Sequence, residues 1–354
     1  MSLEKTREQI DRIDGQIVDL LRQRGLVAQE IGRIKGATGQ AVHDPAREAQ
    51  LLDRLTRGDL SPLDKTAIVA IYRQIIAASR NLQRPLQVAF LGPEYTFSHV
   101  AALQYFGPTS RLSAVSAIEE VFTAVEQQNA DYGIVPIENS IQGVEARTID
   151  CLYETDLSIC AESYVPIHLH LLANCELDQI EALHSHPQPL GQCRRWLRAN
   201  LPGAQLINES STAAAARAIV DAPYHAAIAA AEAASAYGLQ ILASNIEDDP
   251  NNRTRFLVIG HHTAAPSGAD KTSIVFTTEH RAGALYRALA SFSAHGLNMT
   301  LIQSRPARGA VSGPYYFYVD LQGHADNIEV SEAVDALRTH CSFVKILGSY
   351  PSAD

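Results

Sequence analysis

Apolar residues return at helical spacing over the first 84 positions, and at strand spacing interrupted by helices over much of the rest. From Leu3 to Lys35 there is no proline, and one heptad seam runs Leu3, Arg7, Ile10, Asp14, Ile17, Leu21, Arg24, Ala28, Ile31, Lys35. Most apolar residues lie on or beside this seam, which predicts a single long helix. Three cations lie on it too. A buried charge costs several kcal/mol unless it is paired. One arginine on a seam can snorkel to the edge. Three cations with Asp14 as the only acid point instead to a pocket lined for an anion. The 33 residues from Leu3 to Lys35 span about 50 Å at about 1.5 Å per residue. A unit of 84 residues cannot cover such a rod alone, so a dimer of intertwined helices is expected.

Two shorter helices follow the break "GATGQ". The second opens at "HDPAREAQLLDRL", with Asp44 as N-cap, Pro45 as first helical residue, and Arg47 and Glu48 in the first turn. The third opens at "SPLD" with Ser61 as its expected cap. Its inner stripe of Ile68, Ile71 and Ile75 continues as Ser79 and Gln83, so the pocket-facing side turns polar at a definite place.

After "QRPLQ" the period changes. Strand-like "LQVAFLG", "DYGIVPIEN", "IHLHLLA", "ALHSH", "HAAIAA" and "LQILAS" alternate with helix-like "SAIEEVFTAVEQQ", "PLGQCRRWLRANL" and "STAAAARAIV". The first of these helices is expected to open with a Ser116/Glu119 capping box. This is an α/β unit of two lobes with a cleft between them. Polar residues gather at its junctions in "GPEYTFSH", "PIENSIQG", "HSHPQPLGQC", "ESSTAAAA" and "NNRTRF". Strand ends are where α/β sheets bind ligands. One such stretch alone reads as a helix cap; five are hard to explain that way. From Lys271 the order is strand, helix, strand, strand, helix, strand, which predicts a ferredoxin-like α+β sandwich.

Composition narrows the classes. The chain is 46% hydrophobic and 19% charged, as in a soluble globular protein. No apolar run reaches the roughly 18 residues of a membrane span, and the charged start "MSLEKTREQIDRID" carries no apolar signal region. The five cysteines, Cys151, Cys160, Cys175, Cys193 and Cys341, form no C-x-x-C pair, which suits reduced thiols in a cytoplasm rather than a zinc site or disulfide framework. The net charge of −10 hides an asymmetry: residues 1–84 hold 14 Lys+Arg against 11 Asp+Glu, and the remainder 15 against 28. A basic first module suggests an anionic partner, either a nucleic acid or a small polycarboxylate.

The pieces "REQIDRIDGQIVDLLRQR", "IGRIKG", "VHDPARE" and "SRNLQ" resemble the all-helical chorismate mutases over nearly all of residues 3–83. The resemblance implies an entangled dimer of three-helix protomers. It implies a site of Arg7, Arg24, Lys35, Asp44, Arg47, Glu48, Ser79 and Gln83, with Arg7 reaching the partner's pocket. The rearrangement of chorismate, a dianion, to prephenate is pericyclic. It needs no metal, cofactor or nucleophile, only a held conformer and a stabilised ether oxygen. Arginines suit the carboxylates, Lys35 and Gln83 the ether oxygen, and Glu48 the ring hydroxyl.

The five polar junctions resemble, in order and spacing, those of prephenate dehydratases over residues 87–260. That activity removes carbon dioxide and water from prephenate to give phenylpyruvate, so the enzyme has to help hydroxide leave. The resemblance makes Thr254 the acid-catalysis residue and Arg255 a carboxylate clamp. It makes Thr96, Ser98, Asn139, Ser140, Ser185, Gln192, Ser211, Thr212 and Phe256 further members of the prephenate site. A threonine hydroxyl is a poor acid, so it hydrogen-bonds the leaving group or relays a proton from His186 or Glu209. Tyr95 stands where the family usually has glycine.

The last unit resembles the ACT regulatory domains of such enzymes through "AGALYRAL" and "LIQSRPARG". The resemblance implies a phenylalanine site at Gly283, Ala284, Leu285, Asn298, Gln303, Ser304, Arg305 and Pro306, between paired domains. Gln303 stands where an acid is common. The expectation is therefore a multidomain, cytoplasmic homodimer or higher homo-oligomer. Its parts are an all-α mutase domain at 1–84, a two-lobed α/β, periplasmic-binding-protein-like dehydratase domain at 87–262 and a ferredoxin-like ACT domain at 271–354. Its ligands are chorismate, prephenate and L-phenylalanine, with no nucleic acid and no membrane as partners. Two rivals are a ligand-responsive regulator with a helical DNA-binding head and a solute-binding protein with an added sensor. Cations on an inner seam, without a recognition-helix pattern, speak against the first. The missing signal region speaks against the second.

Overall fold

The computed structural model describes residues 2–306 and 315–353. Helix α1 (Leu3–Thr38) runs three residues past the expected end and stops where Gly39, at φ +69°, turns left-handed and donates its N–H to the Lys35 carbonyl. Helix α2 (Pro45–Leu55) is capped by Asp44, whose Oδ1 accepts the Arg47 N–H at 3.0 Å. Helix α3 (Lys65–Gln83) begins later than the sequence suggests: its cap is Asp64, which accepts the Ala67 N–H at 2.7 Å, and Ser61 lies outside it. An ionised cap outcompetes a hydroxyl for the helix N-terminus. Helix α1 packs on α3 where Gly32 faces Gln83; a Cβ at Gly32 would sit 2.7 Å from the Gln83 Cα. Yet Ala28 is the one buried residue of α1 among those described, and Ile10, Ile17 and Val18 stand 53%, 49% and 65% exposed.

The first α/β lobe runs β1 (Gln87–Leu91), α4 (Phe97–Phe106), β2 (Arg111–Val115), α5 (Ile118–Glu126), β3 (Tyr132–Asn139), β4 (Gly143–Val144), α6 (Ala146–Glu154) and β5 (Ser158–Pro166). The second lobe is inserted after it, as β6 (His170–Ala173), β7 (Ala182–Ser185), α7 (Pro187–Gln192), α8 (Arg194–Asn200), β8 (Gln205–Asn208), α9 (Thr212–Ala218), β9 (His225–Ala229), α10 (Ala231–Tyr237) and β10 (Gln240–Ala243). Strand β11 (Arg253–Gly260) then returns to the first lobe between β3 and β5. The sheets order as β2-β1-β3-β11-β5, with β4 on β3, and β10-β6-β9-β7-β8. Two local expectations change. Glu120, not Glu119, takes the Ser116 N–H and hydroxyl at 2.8 and 2.9 Å, while Glu119 pairs with Arg147. The single helix expected over "PLGQCRRWLRANL" is broken at Cys193 into α7 and α8.

The last module is β12 (Asp270–Thr277), α11 (Ala284–Ala294), β13 (Met299–Pro306), β14 (Tyr315–Gln322), α12 (Ile328–Arg338) and β15 (Phe343–Pro351), with antiparallel sheet order β13-β14-β12-β15. Its sheet packs on the first lobe. Val275, Tyr316, Tyr318 and Leu347 share one buried cluster with Ile149, Ile159 and Leu257. Gly348 marks the closest approach, because a Cβ there would run into the Ile159 carbonyl. No helix among the described residues is long and apolar enough to cross a membrane.

Candidate active sites

In the helical module, α1 offers Arg24 and Lys35 three turns apart on the side facing α2 and α3. Arg24 Nη1 donates to the Ser79 hydroxyl and, at 3.3 Å, to the Ile75 carbonyl. Lys35 Nζ donates to the Val42 carbonyl at 2.9 Å. Glu48, in the first turn of α2, accepts from Arg80 Nη1 at 3.3 and 3.2 Å. Burial pushes the Glu48 carboxyl above its usual range; Arg80, Lys35 and Arg24 pull it back, while Asp44 adds to the rise. The fold thus gathers Arg24, Lys35, Asp44, Glu48 and Ser79 within one electrostatic neighbourhood. Gln83 is at its edge, with a buried Oε1 that has no hydrogen-bond partner among the described residues. Arg7 and Arg47 are exposed, and Arg7 stands outside the cluster on the free half of α1.

Arg80 was not among the expected site residues. It is 3% exposed, and one turn after the buried Ile76. A cation continuing an apolar stripe is the same signal that singled out Arg24, and it was available here.

At the cleft of the two lobes, β3 and β11 pair so that Asn139 lies opposite Thr254. Asn139 Nδ2 donates to Thr254 Oγ1 at 3.0 Å and to Asn252 Oδ1 at 2.9 Å, while its Oδ1 accepts the Ile141 and Gln142 N–H groups at 3.1 Å. Ser140 Oγ accepts the Arg253 N–H at 3.0 Å. Asn252, 1% exposed, was also not expected. Its Nδ2 and that of Gln192 (its Nε2) are buried amide donors without a partner among the described residues. Unpaired buried donors of this kind are uncommon. Gln192 lines a cavity of about 380 Å³ together with Ile141, Gln142, Pro187, Arg195 and Asp248, from both lobes and the segment joining them.

The remaining expected residues divide. Thr96 and Ser98 lie at the start of α4, where Thr96 Oγ1 donates to the Pro93 carbonyl at 2.9 Å. Ser211 caps α9 through the Ala214 N–H at 3.0 Å, with Thr212 beside it. The Ser185 hydroxyl is spent on the Ile228 carbonyl at 2.9 Å. Phe256, 1% exposed, belongs to the core. His186 Nδ1 caps α7, and Glu209 pairs with His184 Nδ1 at 2.9 Å; neither carries a hydrogen bond to Thr254. Arg255 is a correction. Successive side chains on a strand face opposite ways, so it points away from Thr254 into the contact with the last module. There its Nε meets Glu162 Oε2 at 2.6 Å, Nη1 meets Asp320, and Nη2 meets Tyr350 Oη at 2.9 Å. At 3% exposure with three partners, it has no arm left for a substrate carboxylate.

In the last module a cavity of about 310 Å³ is lined by Thr278, His280, Arg281, Ala284, Leu285 and Tyr315, among others. Gly283 sits at its edge as the N-cap of α11 at φ +76°. Asn298, Gln303, Ser304 and Pro306 lie on or beside β13, outside that lining. Arg305 is turned to the first lobe, where it grips Asp150 with Nε at 3.1 Å and Nη2 at 3.0 Å. Residues 307–309, the end of "LIQSRPARG", lie outside the described residues.

Comparison with known proteins joins these clusters. Residues 88–264 match the family of prephenate dehydratases and residues 6–84 that of type II chorismate mutases. A bifunctional chorismate mutase/prephenate dehydratase of Aquifex aeolicus is 43% identical over 358 residues, spanning 99% of this chain and 98% of that one. One from Neisseria gonorrhoeae is 40% identical over 351 residues, spanning 98% and 96%. Among solved structures, the prephenate dehydratase of Arthrobacter aurescens in complex with L-Phe is 35% identical, covers 75% of this chain and 90% of its own, and superposes with a TM-score of 0.70. With a helical mutase module and an α/β dehydratase module matched end to end, the chain belongs to the family of bifunctional chorismate mutase/prephenate dehydratases.

Proposed function

We propose that the two clusters divide the family's two reactions between them, the helical module rearranging chorismate to prephenate and the lobes carrying prephenate on to phenylpyruvate. Arg24 and Lys35 hold the carboxylates and ether oxygen of chorismate, with Gln83 as second donor to that oxygen. Glu48 takes the ring hydroxyl, and Ser79 orients Arg24. Asp44 and Arg47 shape the entrance from the start of α2. No acid or base is required, since the ring closes and opens in one concerted step; a preorganised donor of this kind is worth about 3–4 kcal/mol of barrier.

In the cleft, Thr254 faces the departing hydroxide, with its hydroxyl fixed by Asn139. The bond from ring to carboxylate breaks as carbon dioxide leaves, its electron pair completes the aromatic ring, and the departing hydroxide, hydrogen-bonded by Thr254, takes a proton from solvent to leave as water. Asn252 and Gln192 supply the spare amide donors for the substrate's oxygens. Ser140, Thr96, Ser98, Ser211 and Thr212 belong to the walls.

The last module is an ACT domain that senses L-phenylalanine at Gly283–Leu285 against β13 of a second copy. The exposed apolar face of α1 supports a homodimer in which Arg7 enters the partner's mutase pocket. Five free cysteines suit a reducing cytoplasm.

The observation that carries this reading is separation: the Arg24–Lys35–Glu48 cluster and the Asn139–Thr254 cluster occupy different modules. The experiment follows chorismate loss and phenylpyruvate formation in one cuvette, with and without L-phenylalanine. Both reactions are expected, with phenylalanine slowing the second more than the first. Absence of either turnover in folded protein overturns the corresponding assignment.

A further inference from the structure

Arg80 belongs to the mutase module by sequence and to its neighbour by contact. Its Nη1 spans both oxygens of Glu48, and its Nη2 donates to the Tyr105 carbonyl at the C-terminal end of α4. Helix C-termini carry unsatisfied carbonyls and partial negative charge, so a cation is favoured there. The guanidinium also lies 5.4 and 5.5 Å from the ring centres of Tyr105 and Phe106. The next residue repeats the pattern: Asn81 Nδ2 reaches the Phe106 carbonyl at 3.4 Å. The approach is close, since a Cβ at Gly107 would meet the Ala77 Cβ at 2.7 Å.

We propose that Arg80 is a positioning residue for the mutase reaction, aiming the Glu48 carboxylate from an anchor on the dehydratase module. Glu48 sits on α2 with its side chain 22% exposed, and among the described residues its carboxylate accepts hydrogen bonds from Arg80 alone. Arg80 is held by burial, two ring contacts and a backbone carbonyl. Its Nε is buried without a partner among the described residues, so the guanidinium is committed through its two Nη atoms, one to Glu48 and one to Tyr105. The groups that face Glu48 are Arg80 from α3, Asp44 at the start of its own helix, Arg24 and Lys35 from α1, and Tyr105 from α4. Of the cations, Arg80 acts on it most strongly. Without Arg80, burial is opposed only by Lys35 and Arg24, and the carboxyl protonates at higher pH.

This inference rests on Glu48 receiving the ring hydroxyl. The test uses the full chain and four variants: Arg80→Met, Arg80→Lys, Glu48→Gln and Glu48→Gln with Arg80→Met. Mutase kcat and KM are measured across pH, with dehydratase rate and Tm as references. Arg80→Met is expected to lower mutase kcat/KM about ten-fold or more at neutral pH and to move its acid limb upward by about one pH unit. The dehydratase should keep its rate. Arg80→Lys retains the charge but not the fork, and should keep the limb near its place while still losing rate. On the Glu48→Gln background, Arg80→Met should add little, because the two residues act as one unit. Multiplying losses, an unmoved acid limb, or equal loss of both activities with a falling Tm would overturn the role of Arg80 alone. A Glu48→Gln enzyme with unchanged mutase activity would overturn the assignment of Glu48 itself.

Discussion

The helical module and the α/β body solve the burial of apolar residues in opposite ways. Strands β3 and β11 run between neighbours with nearly every side chain inside, and the last module closes over the first lobe as one continuous core. Helix α1, longer than either body sheet is wide, leaves Ile10, Ile17, Val18 and Leu21 facing out. The two lobes bury their apolar strands within one chain, whereas the helical module leaves an apolar face of α1 exposed. The same contrast holds for the sites. Asn139 is already hydrogen-bonded to both Asn252 and Thr254, whereas Arg7 is exposed on the half of α1 that α3 does not cover. A site built on paired strands is fixed by their register, whereas Arg7 on an exposed stretch of helix is fixed by nothing comparable among the described residues.

The strongest way to break this comparison is to remove one module's chemistry and ask whether the other notices. On the proposed reading, Lys35→Ala deletes the ammonium that faces the ether oxygen, a group that donates to the Val42 carbonyl at 2.9 Å in the structure. Mutase activity should fall about a thousand-fold, at the upper end for loss of one preorganised donor, while prephenate is still dehydrated at the native rate. Loss of both activities in folded protein would refute the division between modules.

Two neighbours on β11 sharpen it next. Thr254→Val keeps the shape and removes the hydroxyl. Dehydratase kcat should fall about a hundred-fold with a smaller change in KM, and Tm should stay near native. An unchanged kcat with a raised KM would make Thr254 only a binding residue. Arg255→Met should do the reverse. It leaves Glu162 and Asp320 buried with one cation fewer, since Lys271 Nζ still meets Glu162 at 2.9 Å. Breaking a buried pair from one side costs about 3–5 kcal/mol, so thermal unfolding should drop well before catalysis is touched at low temperature. Equal damage to KM and none to Tm would return Arg255 to the substrate.

Those neighbours also mark where sequence stops being legible. The long helix, the cation-lined seam and the βαββαβ order of the last module are periodic signals and the cap at Asp44 is a local one, and both kinds survive in a sequence. Arg255 was misread because a motif names residues and not faces; only the strand's alternation turns it away from Thr254. Strand β5 and helix α6 went unread for a related reason. "SICAESYVP" has a charged Glu162 at its centre, fully buried against Arg255 and Lys271, so its pattern does not look like a core strand. Asn252 has no local signal, because its partner Asn139 is 113 residues distant; Arg80 carries a stripe signal like that of Arg24, but its anchor on Tyr105 lies in another module and is invisible to local pattern. Junctions between modules are where local pattern carries least.

The smallest effect concerns that junction. His43 precedes the α2 cap and is buried against the dehydratase module, with Nε2 on Tyr105 Oη at 2.9 Å and its ring edge-on to Tyr105 and Tyr132. Its Nδ1 is buried without a partner among the described residues. Burial holds its pKa well below 6.5, and Arg80 and Lys35 add to the effect. The folded protein therefore keeps His43 neutral at a pH where the unfolded chain would protonate it. Stability from this group is fully present above about pH 6.5 and is lost as pH falls below it, until the folded-state pKa is reached. One such proton contributes a slope of up to about 1.4 kcal/mol per pH unit. His43→Asn should lower Tm modestly at pH 7.5, where the Tyr105 contact is lost, and flatten the decline between pH 6 and 5 relative to the native chain. His99 and His170, also lowered by burial, titrate in both proteins and cancel in the difference. An identical decline in the two proteins would mean that His43 takes up its proton without leaving the junction. The seam between the mutase and dehydratase modules would then be open to water, and Arg80 would no longer have a dry anchor from which to hold Glu48.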